Sequence, residues 1–243
     1  MKFERSSEEV KNPLLEKLEE NHFASVDEGF STEDKEFIES FEIINAIDDF
    51  DYYGSSEIQL QENLAKHLQK LGNNSDESIK TLQEIVSSAT MGMLSSFKAE
   101  SAWVTLRTSL PNDAYDIPRW HADGSYFTSS NKVYKKVLTI KGAQTLFAEV
   151  TNRDEFERLQ NELNKNVNNQ EIDAENYKEE DLRIRRELVE TVNEIKLNES
   201  GESVVYLVGD GDAVIHSEPP ISDPRIFISV LVGTDDQIEE WKN

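Results

Sequence analysis

The sequence predicts an α+β fold, a helical N-terminal layer packed on an all-β core, on three observations. Before about residue 100, apolar residues recur at spacings of three and four, the period of an amphipathic helix. From Ser101 onward they give way to short β-branched and aromatic runs bounded by Gly, Pro and Asp breaks. A polar stretch, residues 152–200, divides those runs into two groups and reads as a helical insertion into the core. Residues 1–100 then form a helical region and residues 101–243 the β core. Such helices need an apolar surface to bury against, which favours a layer on the sheet over a separate domain.

In the helical part, Ser6 or Ser7 is placed to cap a first helix carrying Leu14, Leu15 and Leu18 on one face. Ser31-Thr32-Glu33-Asp34 is a cap-and-acid start before Phe37, Ile38, Phe41, Ile44 and Ile47. A third stripe runs Ile58, Leu60, Leu64, Leu68, Leu71 and stops at Gly72-Asn73-Asn74. A fourth helix spans Ser78 to Phe97. The strand readings are 102–108, 133–140, 144–150, 203–208, 213–216 and 225–232. Within the insertion, Phe156, Leu159, Leu163 and Val167 suggest one helix, and Leu182, Leu188, Val189, Val192 and Ile195 a second. Asn164 to Glu180 reads as a loop between them.

Charge and composition exclude several function classes. The 243 residues hold 25 Lys plus Arg against 49 Asp plus Glu, a formal charge of −24. Phosphates repel such a chain, which argues against nucleic acid as a partner and against docking on an anionic membrane. Cys is absent, so disulfides, thiolate metal sites and cysteine nucleophiles are excluded. No window reaches the roughly 18 continuous apolar residues of a membrane span. The opening MKFERSSEEVKN has no apolar signal core, so a cytoplasmic location is expected.

Of the four histidines, His22 and His67 lie among polar neighbours and read as surface residues. His121 lies in Pro118-Arg119-Trp120-His121-Ala122-Asp123-Gly124. An imidazole and a carboxylate one residue apart at a strand end can turn towards one point, and Gly124 lets the backbone bend after them. His216 ends an apolar strand just before Pro219-Pro220, so it faces a core or a pocket. Arg225 follows nine residues later and shares a strand face with Phe227 and Ser229. A guanidinium there is costly unless it meets an anion. Two imidazoles and one carboxylate are the ligand set of the non-haem Fe(II) facial triad.

At these residues the protein resembles the Fe(II)- and 2-oxoglutarate-dependent dioxygenase superfamily, over roughly residues 101–235. The matching pattern is His121-x-Asp123, a long gap, His216 and then Arg225. The resemblance implies a double-stranded β-helix, or jelly-roll, core with the helical layer and insertion added to it. It also implies Fe(II) held by His121, Asp123 and His216, which would be both metal ligands and catalytic residues. The small-molecule co-substrate 2-oxoglutarate would bind the metal and place its far carboxylate on Arg225, with Ser229 or Tyr134 adding a hydroxyl. Lys136 resembles the co-substrate lysine of the JmjC-like branch, so that Lys136 and Arg225 either compete for that role or both line the pocket. The implied reaction is hydroxylation of an unidentified primary substrate.

Trp120, Tyr126 and Phe127 read as core at a strand end, or else as a substrate wall. Arg107 points into the barrel mouth or forms a surface ion pair. Asp210 and Asp212 read as turn formers, with Asp212 able to orient His216. Two further readings stay open. One is a cupin-like metal-binding β-helix protein without this chemistry. The other is an acidic, non-catalytic protein whose helices bind a basic protein partner.

Overall fold

The computed structural model describes residues 12–45, 47–123, 132–168, 174–209 and 213–242, without the side chains of 166–168 and 174–177. The expectations on Gly124, Tyr126, Phe127, Val167, Asp210 and Asp212 lie outside what is described, as do Ser6 and Ser7 themselves, but the helix carrying Leu14, Leu15 and Leu18 starts at Pro13 and is capped by Asn12 instead of either serine. In sequence order the elements are α1 (Pro13–Asn21), β1 (Phe23–Asp27), α2 (Thr32–Ser40), β2 (Phe50–Gly54), α3 (Glu57–Leu68) and α4 (Asp76–Phe97). There follow β3 (Ser101–Ser109), β4 (Val133–Lys141), β5 (Leu146–Val150), α5 (Arg153–Asn168), α6 (Ala174–Val189), β6 (Val192–Ile195), β7 (Glu202–Val208), β8 (Ile215–Ser217), β9 (Arg225–Gly233) and α7 (Asp235–Lys242).

Six strands form one antiparallel sheet in the order β1-β7-β4-β9-β3-β2, and three form a second in the order β6-β5-β8. The fold is therefore mixed α/β, built on a large antiparallel sheet. Alternation along each strand sorts side chains between the two faces. The outer face of the large sheet presents Leu106, Leu138, Val205, Ile228 and Val230 to the helices. These bury with Leu18, Leu60, Leu64, Leu82 and Met93 in one apolar cluster. The inner face presents Val133, Val137, Val204, Tyr206 and Leu231, which pack with Phe147 of β5. The small sheet thus covers the inner face, and α5 and α6 cover the small sheet in turn through Phe156, Leu159, Ile184 and Leu188.

The helices start where the caps require. Ser31 and Asp34 form a reciprocal capping box on α2, and Ser56 and Ser75 cap α3 and α4. Lys98 closes α4 in the left-handed region, at φ 51°.

Three local readings differ from the sequence expectation. The first hundred residues are not all helix: β1 and β2 leave the helical layer and become the two edges of the large sheet. The stripe from Phe37 to Ile47 is helical only to Ser40, because Phe41 turns extended at ψ 123° and the amides of Ile44 and Asn45 donate to Leu71 O. The insertion is more ordered than expected. Helices occupy much of 164–180, and β6 adds a strand to the small sheet. No helix among the described residues is long and apolar enough to cross a membrane.

Candidate functional site

The two histidines meet through the backbone. His121 and His216 form an isolated antiparallel bridge, each amide donating to the other's carbonyl at 3.0 Å. The bridge sets the imidazoles side by side, with ring centroids 4.4 Å apart. His121 Nδ1 lies 2.8 Å from Arg119 O and His216 Nδ1 lies 3.3 Å from Val214 O. Each contact assigns the proton to Nδ1 and leaves Nε2 as the acceptor, the tautomer a metal-binding imidazole adopts.

Asp123 faces both imidazoles. Its carboxylate lies 3.9 Å from His121 Nε2 and 3.5 Å from His216 Nε2. One donor atom from each of the three residues falls within 4.8 Å of the others. Burial would raise the Asp123 carboxyl, but His216, Lys135 and His121 overcome it and hold the group well below the usual carboxylate range. Burial pushes His216 down to about 4, against the opposing pull of Asp123.

Two residues that the sequence did not single out complete the cluster. Lys135 Nζ donates to Asp123 Oδ2 at 2.7 Å, so a cation already sits on the carboxylate. The Tyr206 hydroxyl lies 3.3 Å from both Asp123 Oδ2 and His216 Nε2, and burial followed by Asp123 raises its pKa well above the ordinary value. Lys135 and Tyr206 face each other across the β4–β7 ladder.

Arg225 lies on the same inner surface. It is 4% exposed, and its contacts are neutral: Nε donates to Ala143 O at 2.9 Å, and Nη2 to Thr139 Oγ1 and Thr145 Oγ1 at 3.2 and 3.1 Å. The guanidinium also lies 4.6 Å from the Phe227 ring centroid. Burial pulls its pKa down to about 10, with Glu218 and Tyr115 opposing, so it remains charged at neutral pH. No carboxylate pairs with it among the described residues. The β5 segment links it to the histidines. Phe147 pairs with His216, and Thr145, two residues earlier, touches Arg225. Two strand residues span about 6.6 Å.

Ser229 is buried on the same face of β9 as Arg225, beside Val137 and Thr105. Tyr134 and Lys136 lie on the other face of the sheet. Tyr134 packs on Phe97 of α4, with ring centroids 5.3 Å apart, and Lys136 is buried in an ion pair with Glu28, Nζ to Oε1 2.6 Å. Trp120 is core, 2% exposed, against the α5–α6 layer. Arg107 donates to Asp49 at 2.8 Å and is about half exposed. His67 is partly buried against Phe50 rather than on the surface.

The donor set fits a hard or borderline divalent cation: two neutral imidazoles, one anionic oxygen and no thiolate, at a point that holds an ammonium. No protein-family model and no curated protein sequence matches this protein. Its solved likenesses are distant. A prolyl-4-hydroxylase from Pseudomonas putida is 10% identical with a TM-score of 0.41, over 91% of this chain and 90% of that one. A Trichoplax adhaerens prolyl hydroxylase, in complex with a hypoxia inducible factor peptide fragment, is 7% identical with a TM-score of 0.41, over 93% and 90%. SnoK, a non-heme alpha ketoglutarate dependent carbocyclase of nogalamycin biosynthesis, is 12% identical with a TM-score of 0.38, over 92% and 84%. Likenesses at this level assign neither an activity nor a substrate.

Proposed function

We propose that the protein is an Fe(II)- and 2-oxoglutarate-dependent oxygenase, a hydroxylase whose two facing sheets form the double-stranded β-helix of that superfamily. The observation that carries the reading is the meeting of His121, Asp123 and His216, with both Nδ1 atoms engaged and both Nε2 atoms turned to one point.

His121, Asp123 and His216 would hold the iron, which supplies the dioxygen chemistry that couples decarboxylation of the co-substrate to hydroxylation. Asp123 brings the negative charge, and Lys135 is the cation that gives way to the metal. Tyr206 keeps a hydroxyl within reach of both Asp123 and His216. Arg225 receives the far carboxylate of 2-oxoglutarate in a charge-assisted pair. Arg225 and His216 meet nearby residues of one β segment, Thr145 and Phe147, which places both towards the same cavity wall. Ser229 stands on the same face to add a hydroxyl contact. Val137, Val204 and Phe227 line the inner surface with apolar groups that keep water out. Tyr134 and Lys136 take no part, since they face the helical layer.

The test is spectroscopic. Fe(II) and 2-oxoglutarate added without oxygen should give a weak visible metal-to-ligand charge-transfer band. His121→Ala should abolish it. A folded wild-type protein that gives no band overturns the reading.

A further inference from the structure

Beside the histidine bridge lie two polar atoms of opposite charge, both buried and both without a partner. Arg119 and Glu218 are each two residues out from the bridged pair His121–His216, and the antiparallel direction of the bridge brings both to the same end of it. The chain neighbours of the imidazoles turn the other way: Trp120, between Arg119 and His121, and Ile215, which precedes His216, pack into the α5–α6 layer. Arg119 and Glu218 therefore share the face of the imidazoles. The backbone does not close the ladder here. The Arg119 amide donates to Ser217 Oγ at 2.9 Å, and that hydroxyl donates to Glu218 O at 3.0 Å.

The side chains do not close it either. Arg119 Nε is buried without a hydrogen-bond partner, and so is Glu218 Oε2. Among the described residues no ion pair joins them. Arg107 Nη1 is 3.9 Å from Glu218 Oε1 while its Nε serves Asp49, and Glu218 also feels the charges of His121, Arg119 and His216 and acts in turn on Arg225. In a protein with 49 acidic and 25 basic residues, a buried guanidinium Nε left without a hydrogen bond two residues from His121 is not explained by a shortage of acids.

We propose that Arg119 and Glu218 recognise the primary substrate and that this substrate is a free α-amino acid, its carboxylate on Arg119 and its ammonium on Glu218. The inference rests on the oxygenase reading and deepens it. A simple carboxylate or phosphate would satisfy Arg119 but set a second negative charge beside Glu218. A simple amine would satisfy Glu218 and leave Arg119 unmet. A zwitterion satisfies both, with one charged group for each side chain.

The position selects the reacting carbon. Along the backbone the recognition pair stands two residues from the imidazoles, a rise of about 6.6 Å. The α-carbon is held there, and the substituent on that carbon reaches towards the metal ligands. One C–H bond of this substituent becomes C–O–H. One atom of dioxygen enters the alcohol and the other enters succinate. 2-Oxoglutarate loses carbon dioxide and supplies the remaining two electrons.

The test is binding, read by calorimetry on the full-length protein with Fe(II) and 2-oxoglutarate in the absence of oxygen, titrating each common L-amino acid in turn. At least one should bind and perturb the charge-transfer band. Arg119→Ala and Glu218→Gln should each weaken it by about tenfold or more while keeping the band, the scale expected for loss of a charge-assisted contact. The N-acetyl form of the same amino acid should bind more weakly and be indifferent to Glu218→Gln. The carboxamide form should bind more weakly and be indifferent to Arg119→Ala. If the band is present and no amino acid binds, or if the blocked forms bind as well as the free one, the amino-acid proposal is overturned and the oxygenase reading stands. If the band is absent, the oxygenase reading falls and takes this inference with it.

Discussion

Lys135 Nζ stands 2.7 Å from Asp123 Oδ2, inside the cluster of donor atoms that His121 and His216 complete. Both side chains are largely buried, 17% and 18% exposed. The ammonium is thus the built-in countercharge of the carboxylate, and a divalent cation binding there must displace it. Lys135→Met removes the competitor and leaves the carboxylate without its cation. In metal-free protein this should cost about 1–3 kcal/mol of stability, the penalty of an unmet buried acceptor. Affinity for Fe(II) or Mn(II) should rise. Chemical denaturation with and without metal, alongside calorimetry, checks both signs. Unchanged metal affinity would mean that Lys135 does not compete for the site.

Arg225 and Lys136 are rival anchors for the co-substrate on sequence grounds, and their surroundings separate them. Arg225 is buried among neutral acceptors, whereas Lys136 is neutralised by Glu28 on the helical side of the sheet. Arg225→Ala should raise the 2-oxoglutarate requirement by about tenfold or more, since a charge-assisted pair is worth about 1.5–3 kcal/mol. Lys136→Ala should leave that requirement unchanged and lower stability instead, because Glu28 is left buried without its cation. Titrating 2-oxoglutarate against the visible band in each variant tests the contrast. A larger effect from Lys136 would reverse the assignment.

The core strands were legible because β-branched runs such as VYKKVLTI and RIFISVLV sit between Gly and Pro breaks. β1 and β2 were not, since five residues such as FASVD carry too little periodicity to stand out between helices. The facing of β4 was illegible for a different reason. Helices cover one face of the large sheet and the small sheet covers the other, so both faces are apolar and alternation carries no inward or outward sign. Counting from Tyr134 and Lys136 therefore selected the face opposite to Lys135. One available signal was the contrast along the strand, Val133, Val137 and Thr139 on one parity against Leu138 and Ile140 on the other. The long side chains belong to the helix-facing side. His121, Asp123, His216 and Arg225 were readable as a pattern, but Tyr206 was hidden inside an ordinary apolar strand.

His67 gives the fold a pH dependence away from the site. Its ring packs 5.4 Å from Phe50, and Nε2 is buried without a hydrogen bond. Burial, helped by Lys70 and opposed by Asp49, lowers its pKa below 6.5. The unfolded protein, with the ordinary value, therefore binds more protons just below about pH 6.5. This contribution to stability is present above that pH and is lost as the pH falls through it. His67→Phe should flatten the acid side of the stability profile between neutral and mildly acidic pH. Urea midpoints measured across that range decide the matter, and an identical slope in the variant would remove His67 as the cause.

Gly142 ties the β4–β5 turn to the position of Arg225. Its φ is +88°, in the region that favours glycine, and a Cβ there would lie 2.9 Å from Pro224 O and 3.1 Å from Arg225 Cα. Both obstacles are backbone, so neither can swing aside as the tip of a flexible side group would. Gly142→Ala should cost about 1–3 kcal/mol from the backbone conformation alone. It should also push the start of β9 away from Ala143 and Thr145, the residues that hold the guanidinium. The expected signature is a lower denaturation midpoint together with weaker 2-oxoglutarate binding, while metal affinity at His121, Asp123 and His216 is retained. Loss of stability with co-substrate affinity intact would show that Arg225 is positioned independently of the turn.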